Sequence, residues 1–129
     1  MAEKSVMDLD DTSWEAVVEK GDKPVVVMFY DQLCPHCMIM MPHFEKYAED
    51  FKDKILFARI DVTRNPLAVS RYGVMATPTF KFFCGGRPVQ EIVGEIYPTL
   101  LKKTTEEALE YSKDCGSRST PIDYNIGYA

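Results

Sequence analysis

The period of apolar residues changes several times along the chain, and each change marks an element. Pro24 to Tyr30 (PVVVMFY) is an almost unbroken apolar run rich in β-branched and aromatic residues. It is too short for a buried helix and predicts a central strand covered on both faces. Before it, Thr12-Ser13-Trp14-Glu15 has the form of a capping box, and Trp14, Val17 and Val18 follow at helical spacing up to Gly21. A short helix over about 12–20 is expected. After the strand, a helical period runs from Pro35 to about Phe51, with Ile39, Phe44, Tyr47 and Phe51 expected to face inward.

KILFARIDV (54–62) predicts a second strand, and Asn65-Pro66 a cap followed by a proline at the first helical position. That helix should end at Gly73. TPTFKFFC (77–84) and PVQEIVG (88–94), separated by Gly85-Gly86, predict a hairpin. A last helix should open at Pro98, carry Leu101, Ala108 and Tyr111 on one side, and end near Gly116. The order α-β-α-β-α-β-β-α gives parallel strands through right-handed crossovers and an antiparallel edge. The fold class is therefore α/β, a mixed sheet with helices on both faces.

Composition narrows this picture. A length of 129 residues suits one domain, expected over 1–113, with a tail at 114–129. The net charge of −5, with no basic run, argues against a nucleic-acid surface. The longest apolar run is too short to cross a membrane. The N-terminus MAEKSVMDLDD has no apolar signal region, so a cytoplasmic setting is expected. A monomer is expected as well.

The candidate chemistry lies in Cys34-Pro35-His36-Cys37. Covalent haem attachment needs a histidine after the second cysteine, where this chain has Met38. Zinc needs three or four ligands, and no second Cys-x-x-Cys is present. A purely structural disulfide closing so short a loop adds little. A redox pair fits better. Cys34 falls at the start of the helix, where unpaired N–H groups and roughly half a positive charge favour a thiolate. Pro35 suits the first helical position. His36 adds a polar or cationic group within reach of the sulfur. Cys37, one turn further in, should be more buried. These positions make Cys34 the nucleophile and Cys37 the resolving thiol. A pKa lowered by about three units would favour the dithiol by roughly 2 kcal/mol at pH 7, or about 45 mV. The disulfide would then be readily reduced, more oxidising than one around a Gly-Pro dipeptide.

Further positions give these residues a family context. Pro42 lies five residues after Cys37, Thr77-Pro78 ends 44 residues after Cys34, and Val93-Gly94 ends 16 residues after Pro78. Together with the strand leading into Cys-x-x-Cys, these spacings resemble the thioredoxin family over about residues 6–113. The resemblance implies a thioredoxin fold, a central mixed sheet of four or five strands flanked by four helices. It implies a kink at Pro42, a cis bond at Thr77-Pro78, and a substrate groove that includes Leu33, Thr77, Pro78, Val93 and Gly94. The implied activity is thiol-disulfide oxidoreduction on protein thiols and disulfides, with a reductase or other redox partner and no cofactor or metal.

The departures are specific. Thioredoxins carry Gly-Pro between the cysteines, whereas Pro35-His36 is similar to the centre of bacterial disulfide-forming oxidases, without their helical insertion. The family's buried aspartate is matched by Met28 and its nearby lysine by Arg59. A second function stays open, a non-catalytic thioredoxin-fold module for binding or redox sensing. Met38, Met40 and Met41 read as packing, and Cys84 and Cys115 as small residues or accessory thiols.

Overall fold

The unbroken apolar run becomes β2 (Val25–Tyr30), and all six residues are buried. Its neighbours are β3 (Leu56–Asp61), parallel to it, and β4 (Thr79–Cys84), antiparallel. β1 (Val6–Leu9) pairs parallel with β3, and β5 (Arg87–Val93) pairs antiparallel with β4. The computed structural model describes residues 5–111 and forms one sheet of order β1-β3-β2-β4-β5. The helices are α1 (Pro35–Asp50), α2 (Pro66–Tyr72) and α3 (Pro98–Tyr111), with a π-helical turn at Glu15–Glu19. The expected tail at 114–129, including Cys115, and the end of the last helix lie outside the described residues.

Alternation along β2 explains why the run is continuous. Val26, Met28 and Tyr30 join a core formed with Met40 and Phe44 of α1 and Leu101 of α3. Val25, Val27 and Phe29 join the opposite core, with Trp14, Val18 and Ala68. Side chains alternate across a strand, so a strand buried on both faces has no polar position. Cys34 follows at the end of this rigid strand, which fixes where the dipeptide sits. Among the described residues, no helix is long and apolar enough to cross a membrane.

β1 was not read from the sequence. Its burial runs buried, exposed, exposed, buried, so four residues carry no strand period. Pairing with β3, fifty residues away, makes it a strand (Val6 opposite Phe57, Leu9 opposite Ile60).

Two caps differ from expectation. The expected helix over 12–20 is a single π-helical turn, and no side chain of Trp14 caps it. The reciprocal box is formed by Asp10 and Ser13. Asp10 Oδ1 accepts from the backbone N–H of Ser13 at 2.8 Å, and Ser13 Oγ accepts from that of Asp10 at 3.1 Å. Gly21 ends the turn because a Cβ there would lie 2.4 Å from the Val17 carbonyl oxygen. At α2, Asn65 precedes the helix but makes no side-chain cap. Its amide is committed elsewhere, donating to the Asp61 carbonyl and accepting from the Asp11 N–H, both at 2.9 Å. The Asp11 carboxylate caps instead, accepting from Leu67 and Ala68 N–H at 3.1 and 3.0 Å. A tertiary contact thus supplies the stabilisation, about 1 kcal/mol, that a local cap would give.

Ile39 is also misassigned, being 51% exposed. Cys37, Met40, Met41, Phe44, Tyr47 and Ala48 are buried. They recur three or four residues apart, whereas Ile39 precedes Phe44 by five and falls off that stripe. The β4–β5 hairpin closes through Gly85 and Gly86 at φ of 61° and 84°, the left-handed pair a tight hairpin turn requires.

Candidate active site

The loop between β2 and α1 is shaped by Asp31. Its carboxylate accepts from the Leu33 N–H at 2.9 Å, and its carbonyl from the Cys34 N–H at 3.0 Å. That turn leaves Leu33 90% exposed and sets Cys34 at the N-cap of α1. Pro35 occupies the first turn, where its missing N–H removes no helical bond. Cys34 Sγ accepts from the Cys37 N–H at 3.2 Å, as the side chain of an N-cap residue does. Cys37, one turn on, is fully buried. Pro42 lies inside α1.

The second wall comes from the start of the neighbouring strand β4. The Thr77-Pro78 peptide bond is cis, and the Thr77 carbonyl lies 3.6 Å from Cys34 Sγ, in position to accept from the thiol. Gly94 at φ 97° sends its N–H to the Pro78 carbonyl at 2.7 Å, tying the end of β5 to the same segment. Thr77 therefore lies against Cys34, with Leu33 next to Cys34 in the chain, Gly94 tied to Pro78 and Val93 paired with Thr79. Beside them runs a groove of about 920 Å³, lined among others by His36, Ile39, His43, Glu95 and Tyr97. Sequence reasoning missed Glu95, whose carboxylate meets His36 Nδ1 at 2.6 Å. The only local signal was an acid directly after Gly94.

The two thiols differ in acidity. Burial pushes Cys34 up, but side-chain hydrogen bonds with Cys37 and Thr77 and the N–H groups of Cys37 and His36 outweigh it, so its pKa is lowered. Cys37 is pushed up to about 11, chiefly by burial and then by its hydrogen bond to Cys34. Iodoacetamide should therefore modify Cys34 with a midpoint below the ordinary thiol value of about 8.5. Cys37 should stay unmodified until strongly alkaline pH. Mass mapping after limited alkylation at pH 7 checks this, and equal labelling of both sites would contradict it.

Beneath the pair the chain is apolar. Met28 is fully buried where the family carries an aspartate, and Arg59, opposite it on β3, is turned to Asp8. Cys84 is disulfide-bonded, so it is not the accessory free thiol considered above, while Cys34 and Cys37 are free.

Comparison with known proteins decides the family. The thioredoxin family model matches residues 5–107. The chain belongs to the thioredoxin family. A thioredoxin from Alicyclobacillus acidocaldarius subsp. acidocaldarius is 39% identical over 90 residues, covering 70% of this chain and 85% of that protein. A thioredoxin from Chlorobaculum thiosulfatiphilum is 30% identical over 97 residues, covering 75% of this chain and 90% of that one. The crystal structure of Malassezia sympodialis thioredoxin superposes with a TM-score of 0.76 at 29% identity, covering 84% of this chain and 95% of that chain. The sheet and its four helical segments are thus a thioredoxin fold. The protein is a thiol-disulfide oxidoreductase, with a Cys-x-x-Cys pair at the spacing of that family.

Proposed function

We propose that this thioredoxin-family protein exchanges disulfides with protein substrates through Cys34 and Cys37, from a centre more oxidising than that of an ordinary thioredoxin. The observation that carries the reading is Cys34 Sγ at the N-terminus of α1, facing the Thr77 carbonyl at 3.6 Å. In the reducing direction, the Cys34 thiolate attacks a substrate disulfide. One substrate sulfur leaves as a thiolate and takes a proton, while the other becomes bonded to Cys34. Cys37 then attacks Cys34 Sγ, gives its proton to the second departing sulfur, and closes the Cys34–Cys37 disulfide. The two electrons pass from the dithiol to the substrate. The oxidising direction is the same sequence reversed.

An extended substrate segment fits alongside the half-buried Thr77, ahead of buried Pro78, with the exposed Leu33 and Val93 as apolar contacts and Gly94 leaving room for backbone. Pro35 and His36 tune the centre. His36 has its own pKa raised, first by its hydrogen bond to Glu95, so it carries positive charge over a wider pH range beside the sulfur. A thiolate stabilised by the helix terminus and the N–H groups of Cys37 and His36 makes the dithiol the favoured form and the disulfide an oxidant. The domain at 1–113, a redox partner such as a reductase, and a monomeric, cytoplasmic setting belong to the same reading.

Cys37→Ser tests it. That variant should trap a mixed disulfide between Cys34 and a disulfide-bonded protein, seen as a reducible adduct on gels. The wild-type pair equilibrated with glutathione should be more reduced than a Pro35→Gly/His36→Pro variant in the same buffer. Absence of any adduct would sink the catalytic reading, and an unchanged equilibrium would sink the oxidising one.

A further inference from the structure

We infer that Glu95 is a positioning residue of the redox centre: its carboxylate holds the His36 imidazole by Nδ1 and balances its charge, so that Cys34 faces a neutral pair instead of a free cation. The contact is 2.6 Å, and it joins residues 59 apart in sequence. Its placement follows from the backbone. Glu95 immediately follows Gly94, whose N–H is bound to the Pro78 carbonyl, and Thr77 of that same segment faces Cys34. The wall opposite the sulfur therefore also delivers the acid to the histidine. The inference rests on the reading of Cys34 as the nucleophile.

The consequence is one of charge. The titratable groups lining the groove with His36 are His43 from α1 and Glu95 and Tyr97 from the connection after β5. Cys34, at the N-cap of α1, acts on His36 through its charge, and Cys37 is buried behind. With a carboxylate at 95, the pair is neutral while the imidazole is protonated and carries −1 once it is not. With glutamine at 95, the corresponding charges are +1 and 0. At any pH the glutamine variant is at least as positive, so it favours the Cys34 thiolate at least as much. His36 and Glu95 are 64% and 38% exposed, so solvent screens the effect and it is modest. The carboxylate thus restrains the acidity and the oxidising strength that a Cys-Pro-His-Cys sequence implies alone.

Glu95→Gln is the test, compared with wild type by NMR titration of His36 and by the pH profile of Cys34 alkylation. The His36 midpoint should fall towards its ordinary value. The Cys34 midpoint should fall by roughly half a unit, making the pair more reduced against glutathione, by up to about threefold at a pH above both midpoints. An unmoved His36 titration would show that the pair does not form in solution, and a Cys34 midpoint that stays or rises would show that the carboxylate does not restrain the thiol. Either overturns the inference. The adduct assay on Cys37→Ser, with Glu95 intact, separates the two readings. No adduct there overturns the catalytic assignment, whereas an adduct with unmoved midpoints overturns only the role of Glu95.

Discussion

Cys34→Ser is expected to lower insulin-disulfide reduction by on the order of 10³-fold or more, with the folded structure retained. The helix terminus and the N–H of Cys37 stabilise a thiolate, and a serine hydroxyl does not ionise near neutral pH. Cys37 cannot replace it. That thiol is fully buried, and burial, the chief cause of a pKa pushed up to about 11 in the wild type, remains in the variant, so little of it is thiolate at pH 7. Turnover measured beside the far-ultraviolet circular dichroism spectrum checks the prediction. A folded variant keeping a tenth of the activity would place the nucleophile elsewhere.

Phe44→Ala should carry the largest effect on stability. Phe44 is fully buried on α1, with its ring 4.9 Å from that of Phe57 on β3 and 5.7 Å from that of Phe80 on β4. It joins the active-site helix to two strands at once. Removing it takes away a large apolar surface and leaves a cavity between rigid elements, at a cost of about 3–5 kcal/mol. Against a domain stability of about 5–15 kcal/mol, that is a large fraction. Urea denaturation should show a strongly lowered midpoint. Molecules that remain folded should keep the Cys34 alkylation profile, because Phe44 lies two turns beyond Cys37 along α1. A loss below about 1 kcal/mol would mean that the site closes on itself and that this contact does not hold the helix.

The redox pair was legible because its signals are local. A continuous apolar strand, a proline suited to a helix start and two cysteines one turn apart are all written within fourteen residues, from Pro24 to Cys37. The hairpin was legible for the same reason, since two glycines mark a turn that other residues resist. Ile39 shows where local reading failed. A helical stretch with apolar residues on more than one side does not state which stripe faces the sheet, and packing against β3 and β4 chose the stripe through Cys37 and Phe44.

By itself, then, the sequence determined the strands and α-helices from β2 onward, that β2 is central, and that Cys34 begins a helix with Cys37 one turn behind. Those properties depend on side-chain periodicity and on backbone preferences acting over a few residues. Tertiary structure alone decided that Val6–Leu9 is a strand, that Asp11 caps α2, that Thr77 faces Cys34, and that Glu95 holds His36. Each of these joins groups more than forty residues apart, and a hydrogen bond or ion pair needs its partners within about 3 Å. Only the finished sheet order brings them that close.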